Sequence, residues 1–194
     1  MQTVIDGVLT NYTDLNSKSK KCLLILHGWG HSAAHWQKVA EIIAEETRVI
    51  ALDLPSFGNS APLRGRPSVK GYADFVASLV KKIKLKEVIL LGHSFGGQVA
   101  VDIAIRYPKV VERLILVSPA CIRNDSPTFK SKVAKFFKPF FNTIPSVLSG
   151  YLKRFIASSD YQKSSSLQRV IFNRILYVDF SNSLNKIKQK TYII

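Results

Sequence analysis

The stretch Val88 to Gly97, VILLGHSFGG, limits what this chain can fold into more than any other. Val88 to Leu91 are four aliphatic residues in a row, the pattern of a strand buried on both faces. Gln98 to Arg106 is almost wholly apolar and Pro108 stops it, which predicts a helix packed on a sheet. Between the two, Ser94 sits on a sharp strand-to-helix turn, with glycines two before and two after it. Such a turn strains the serine backbone and needs small neighbours to avoid collisions. It thrusts the hydroxyl out at the carboxyl end of the strand. The start of the helix adds unpaired N–H groups and a partial positive charge beside it. G-x-S-x-G in this context is a nucleophile elbow. The plainer reading is a glycine-rich turn that only packs helix on strand; the flanking elements favour the elbow.

The same alternation runs along the chain. Thr3 to Leu9 and Leu9 to Thr13 suggest an opening hairpin around Asp6-Gly7, and Asn16 to Lys21 is a polar loop. Cys22 to Leu26 is a buried strand ending in His27-Gly28-Trp29-Gly30. Ser32 to Glu46 has helical spacing, with Trp36, Val39, Ile42 and Ile43 expected on one face. Arg48 to Leu52 is a strand, followed by the turn-rich DLPSFGNS of 53–60. Val69 to Lys84 is helical, with Tyr72, Phe75, Val76, Leu79 and Val80 as its apolar face, and Val110 to Ser118 is another strand. Strands alternating with helices predict a mostly parallel sheet with flanking helices. Ligands in such sheets sit at the carboxyl ends of strands. HGWG, Asp53 and Ser94 all fall at such ends.

Beyond Pro119 the character changes. Phe129 to Phe141, Val147 to Ala157 and Leu167 to Val178 have helical spacing, and Lys190 to Ile194 begins a new strand. Residues 1–120 are therefore expected to form the core, 121–182 a helical cap insertion, and 183–194 a return to the core whose final strand is cut short.

The chain is 194 residues long, enough for one domain with a sizeable core. Its two cysteines, Cys22 and Cys121, make neither a disulfide framework nor a metal site. Buried thiols, a reducing cytoplasmic setting and no cofactor or metal are expected. No apolar run is long enough to span a bilayer. The net charge is +15. Residues 1–120 hold 15 Lys and Arg against 10 Asp and Glu, and residues 121–194 hold 13 against 3. Such an excess suits anionic partners or a plain solvated surface, and the solvated surface is the simpler reading. No nucleic-acid partner is expected. The basic, phenylalanine-rich 129–141 helix could touch an anionic membrane; covering a site is the role favoured for it.

HGWG, DLPSFGNS, GHSFGG and LVSPA stand in the order and at about the spacing that resemble the α/β-hydrolase superfamily, in particular its esterase-like members with a helical cap. The resemblance covers essentially the whole chain. Ser56 departs from it, where glycine is usual, and so does Lys190, where proline is common. The resemblance implies that Ser94 is the nucleophile, attacking an ester or related acyl carbonyl and forming an acyl-enzyme. It implies that the backbone N–H groups of Trp29 and Phe95 hold the oxyanion. Asp53 reads as a turn or capping residue.

The rest of the triad is missing from the sequence. The order implied is Ser, then Asp or Glu, then His. All four histidines, His27, His31, His35 and His93, precede Ser94. His27 belongs to the oxyanion turn, His93 should point away from the nucleophile, and His31 and His35 begin a helix. The expectation is an N-terminal part of a longer serine hydrolase, inactive by itself, acting on a small ester or acyl substrate. The alternative is a non-catalytic binding protein on the same scaffold. Substrate identity and oligomeric state are not legible.

Overall fold

The computed structural model describes residues 1–122, 166–175 and 177–194. Asp6 (φ +47°) and Gly7 (φ +75°) both take left-handed backbone, as a two-residue hairpin turn demands. They join β1 (Gln2–Ile5) to β2 (Val8–Leu15). The aliphatic runs become β3 (Cys22–Leu26), β4 (Arg48–Leu52), β5 (Val88–His93) and, interrupted by Glu112 and Arg113, β6 (Val111–Val117), and β7 is Lys190–Ile193. The sheet order is β1-β2-β4-β3-β5-β6-β7. β1 and β2 pair antiparallel, β2 meets β4 antiparallel, and β4, β3, β5, β6 and β7 run parallel.

Two helices cover one face of the sheet. Ser68 caps α2 (Val69–Lys82) by accepting the Gly71 N–H at 3.0 Å. Tyr72, Phe75, Val76, Leu79 and Val80 are all buried, as their spacing predicts. The next helix, α3 (Phe95–Arg106), starts at Phe95 rather than at Gln98, so both glycines lie inside its first turn. Arg106 pins the two helices together through Asp74 and Asp102.

The other face carries α1 (Gln37–Ala44), entered through a 3-10 turn at Ala33–Trp36. Here the expected apolar face is corrected. Trp36 and Ile43 pack on the sheet, but Val39 and Ile42 are exposed, and the buried positions are Ala33 and Ala40. The 3-10 turn advances the chain by three residues per turn rather than 3.6. That phase places Ala33, Trp36 and Ala40 inward, and the small alanines let α1 lie close to β3 and β4. Toward β5 and β6 this face keeps Ile89, Ile115 and Val117 only half-buried.

After Ile122 the described chain resumes with α4 (Ser166–Ile175), whose Ile171 and Ile175 join the core. Most of the expected cap, including the helices at 129–141 and 147–157, lies outside the described residues. Both cysteines are buried.

Candidate active site

Ser94 stands where the sequence places it, between the end of β5 and the start of α3. Its backbone takes φ +51°, ψ −112°, a region that suits glycine and strains serine. The surroundings fix that conformation. The Ser94 N–H donates to Val117 O of β6 at 3.0 Å. The Ser94 carbonyl accepts from Gly97 N (3.0 Å), Gln98 N (3.3 Å) and Ala120 N (3.2 Å). Close approach explains the glycines. A Cβ on Gly96 would run into the carbonyl oxygen of Leu26, and one on Gly92 would fall 2.5 Å from Gly96 O. A larger residue at either place would push α3 off the sheet.

The HGWG turn lies against this elbow. A Cβ on Gly28 would be 3.3 Å from Ser94 Cβ, so the chain at 28–29 passes directly beside the serine. Trp29 packs edge-on to Phe57, Phe95 and Phe172, with ring centroids 5.0, 5.9 and 5.1 Å apart. An aromatic wall from three separate segments therefore borders the elbow.

His27 is buried and fully engaged. Its Nε2 accepts the Leu54 N–H at 3.0 Å, so Nδ1 carries the proton and donates to Gly28 O at 2.7 Å. Burial lowers its pKa to about 4. This histidine holds the two site loops together and has no lone pair left for Ser94. Asp53 is a turn and capping residue, as expected. It is buried, and its two oxygens accept from Ala33 N (2.7 Å), Asn11 Nδ2 (2.9 Å) and Asn59 N (2.9 Å). Ser56, which stands where glycine is usual, takes φ +73°; that backbone is the reason glycine suits the position.

The remaining histidines form a row that sequence spacing did not reveal. His31 stacks on His35 with centroids 4.6 Å apart and on His93 at 5.8 Å. Trp36 meets His93 edge-on at 6.0 Å. Burial, and then the neighbouring His31, lower the His93 pKa, and its Nδ1 is buried without a partner among the described residues. Only the His31 and His35 spacing was a signal; their meeting with His93 depends on the strand crossover. Among the described residues no histidine hydrogen-bonds Ser94, and no group of three or more His, Cys, Asp or Glu is arranged to hold a metal ion. Gln98 is a further buried tie, donating to Ala120 O at 2.7 Å and Ile175 O at 3.4 Å. It joins the elbow helix to the segment after β6 and to α4.

Comparison with known proteins gives a consistent picture. The sequence profile described as "Alpha/beta hydrolase family" matches residues 23–180. An uncharacterized hydrolase of Bacillus subtilis, YugF, is 27% identical over 164 residues, covering 82% of this chain and 56% of the relative. A pimeloyl-[acyl-carrier protein] methyl ester esterase of Vibrio parahaemolyticus is 33% identical over 134 residues, 69% of this chain and 46% of that enzyme. The chain thus spans about half the length of these curated relatives. Among solved structures, a bacterial membrane phospholipase A superposes with a TM-score of 0.76 at 25% identity, over all of this chain and 68% of that one. Among the described residues no helix is long and apolar enough to cross a membrane.

Proposed function

Because the chain belongs to the alpha/beta hydrolase family, we propose that it is a serine hydrolase of carboxylic esters or related acyl compounds, with Ser94 as nucleophile. The observation that carries this is the Ser94 backbone, held at φ +51°, ψ −112° by four hydrogen bonds to its own N–H and carbonyl. Strain retained at such expense of surrounding structure marks functional positions. It keeps the hydroxyl at the mouth end of the sheet and at the start of α3.

In this scheme Ser94 Oγ attacks the substrate carbonyl while a base takes its proton. The carbonyl oxygen becomes an oxyanion held by the backbone N–H groups of Phe95, at the first position of α3, and of Trp29, beside Gly28. The C–O bond to the alcohol then breaks, the alcohol leaves with a proton, and water releases the acid from Ser94. Each oxyanion donor contributes about 100- to 1000-fold in rate. The aromatic wall of Trp29, Phe57 and Phe172 supports an apolar group next to the scissile bond.

The base and its acid partner are proposed to come from residues outside this sequence, in a helical-capped enzyme of which this is the N-terminal part. Support comes from the histidines: His27 has both ring nitrogens engaged, and His31, His35 and His93 stack on one another. The half-buried Ile89, Ile115 and Val117 fit a further covering element on that face.

The test is turnover of a short-chain chromogenic ester by these 194 residues and by the protein at its natural length. The expected result is turnover by the natural-length protein only, abolished by Ser94→Ala. Robust Ser94-dependent turnover by the 194 residues would place the base among them. No turnover by either would leave a binding scaffold.

A further inference from the structure

In a parallel sheet every loop that enters a strand lies at one end and every loop that leaves lies at the other. Ser94, HGWG and Asp53 occupy the leaving end. There, the described loop residues 27–36, 53–68 and 118–122 hold three charged side chains, the buried Asp53 and the exposed Arg64 and Arg66. The entering end is the reverse. Lys81, Lys82, Lys84 and Lys86 lead into β5, three lysines within 18–21 lead into β3, and three within 186–190 lead into β7. All ten are exposed. Four exposed carboxylates, Glu45, Glu46, Glu87 and Glu112, share that end, and Asp14 is taken by Arg48. Among the described strand-connecting loops most of the positive charge thus lies at the entering end, a grouping that no count along the sequence reveals.

We propose that this lysine rim docks on an anionic lipid surface, with the Ser94 mouth turned away from it. Adjacent strands lie about 4.8 Å apart, so the loops entering β3, β5 and β7 span roughly 15 Å. Loops so arrayed can meet one plane of charge together. The charges are lysines, flexible point charges, without the arginine forks suited to bidentate phosphate or base contacts. None of the loops 16–21, 83–87 and 186–190 holds an aromatic residue for base stacking. Their apolar members, Ile83, Leu85 and Ile187, pack into the core, so no wedge enters the lipid and the attachment is electrostatic. Docking by this rim leaves the site open to substrates arriving from solvent. It is independent of whether Ser94 is a nucleophile.

The experiment is co-sedimentation of the purified chain with phosphatidylcholine vesicles, with and without phosphatidylserine, at low and moderate salt. Two rim variants act on separate loops: Lys81, Lys82, Lys84 and Lys86 changed to Glu, and Lys18, Lys20 and Lys21 changed to Glu. The comparison variant changes Lys130, Lys132, Lys135 and Lys138 to Glu, altering net charge as much as the first. The expected result is preferential binding to the anionic vesicles, weakened by salt, with a loss of about tenfold or more in either folded rim variant and a smaller loss in the comparison variant. Equal binding to both vesicle types, an equal loss in the comparison variant, or tighter binding to duplex DNA than to the vesicles at the same salt would overturn the proposal.

Discussion

Gly28 faces His93 so closely that a Cβ on the glycine would lie 2.7 Å from the His93 Nδ1. The turn after β3 and the residue before Ser94 therefore fit each other with no space for a methyl group. His93 has little room to retreat, because His31 and Trp36 flank its ring. Gly28→Ala is expected to destabilise the fold by roughly 1–3 kcal/mol, the range for overpacking a close-packed site. A urea midpoint equal to that of the unsubstituted chain would show that the turn can yield.

The Ser94 backbone makes a second, opposite prediction. Glycine adopts φ +51°, ψ −112° without the penalty that a Cβ brings. Strain of this kind is worth about 1–3 kcal/mol, offset in part by glycine's greater freedom when unfolded. Ser94→Gly should therefore be more stable than Ser94→Ala by about 1 kcal/mol, though neither carries the Ser94 hydroxyl. Melting temperatures of the two variants decide this, and a less stable glycine variant would mean that the turn is relaxed.

His27 predicts an acid limb of stability. Its pKa is lowered from 6.5 to about 4 by burial, so the unfolded chain binds the proton more readily. Stability from this group is present above pH 6.5 and is lost as the pH falls toward 4. The full effect is about 3 kcal/mol, from 1.36 kcal/mol per pKa unit. The shift on His93 has the same sign. His27→Gln removes the titration and should flatten the dependence of the urea midpoint between pH 6.5 and 4. An unchanged slope would assign the acid limb to other groups.

The central strands β3, β4 and β5 were legible because each holds an unbroken aliphatic run. Cys22–Leu26 and Arg48–Leu52 have the limits their composition predicts. The elbow was legible because glycine, serine and a strand-to-helix change occur together, and close packing at Gly92 and Gly96 supplies the reason. Val39 and Ile42 misled because a 3-10 turn shifts the phase of α1, a change of pitch that periodicity alone does not encode. The His31, His35 and His93 row and the lysine rim depend on which strands are neighbours. That order is a property of the folded sheet and not of local spacing. The expected cap helices at 129–141 and 147–157 lie outside the described residues.

Ser94 is proposed to be a nucleophile whose base and acid lie outside these 194 residues. That proposal is tested most directly by exposing the natural-length protein to a serine-reactive fluorophosphonate and locating the adduct by mass spectrometry. Covalent labelling at Ser94, lost in Ser94→Ala, and little labelling of residues 1–194 alone are expected. A natural-length protein that folds but is not labelled at Ser94 would contradict the proposal.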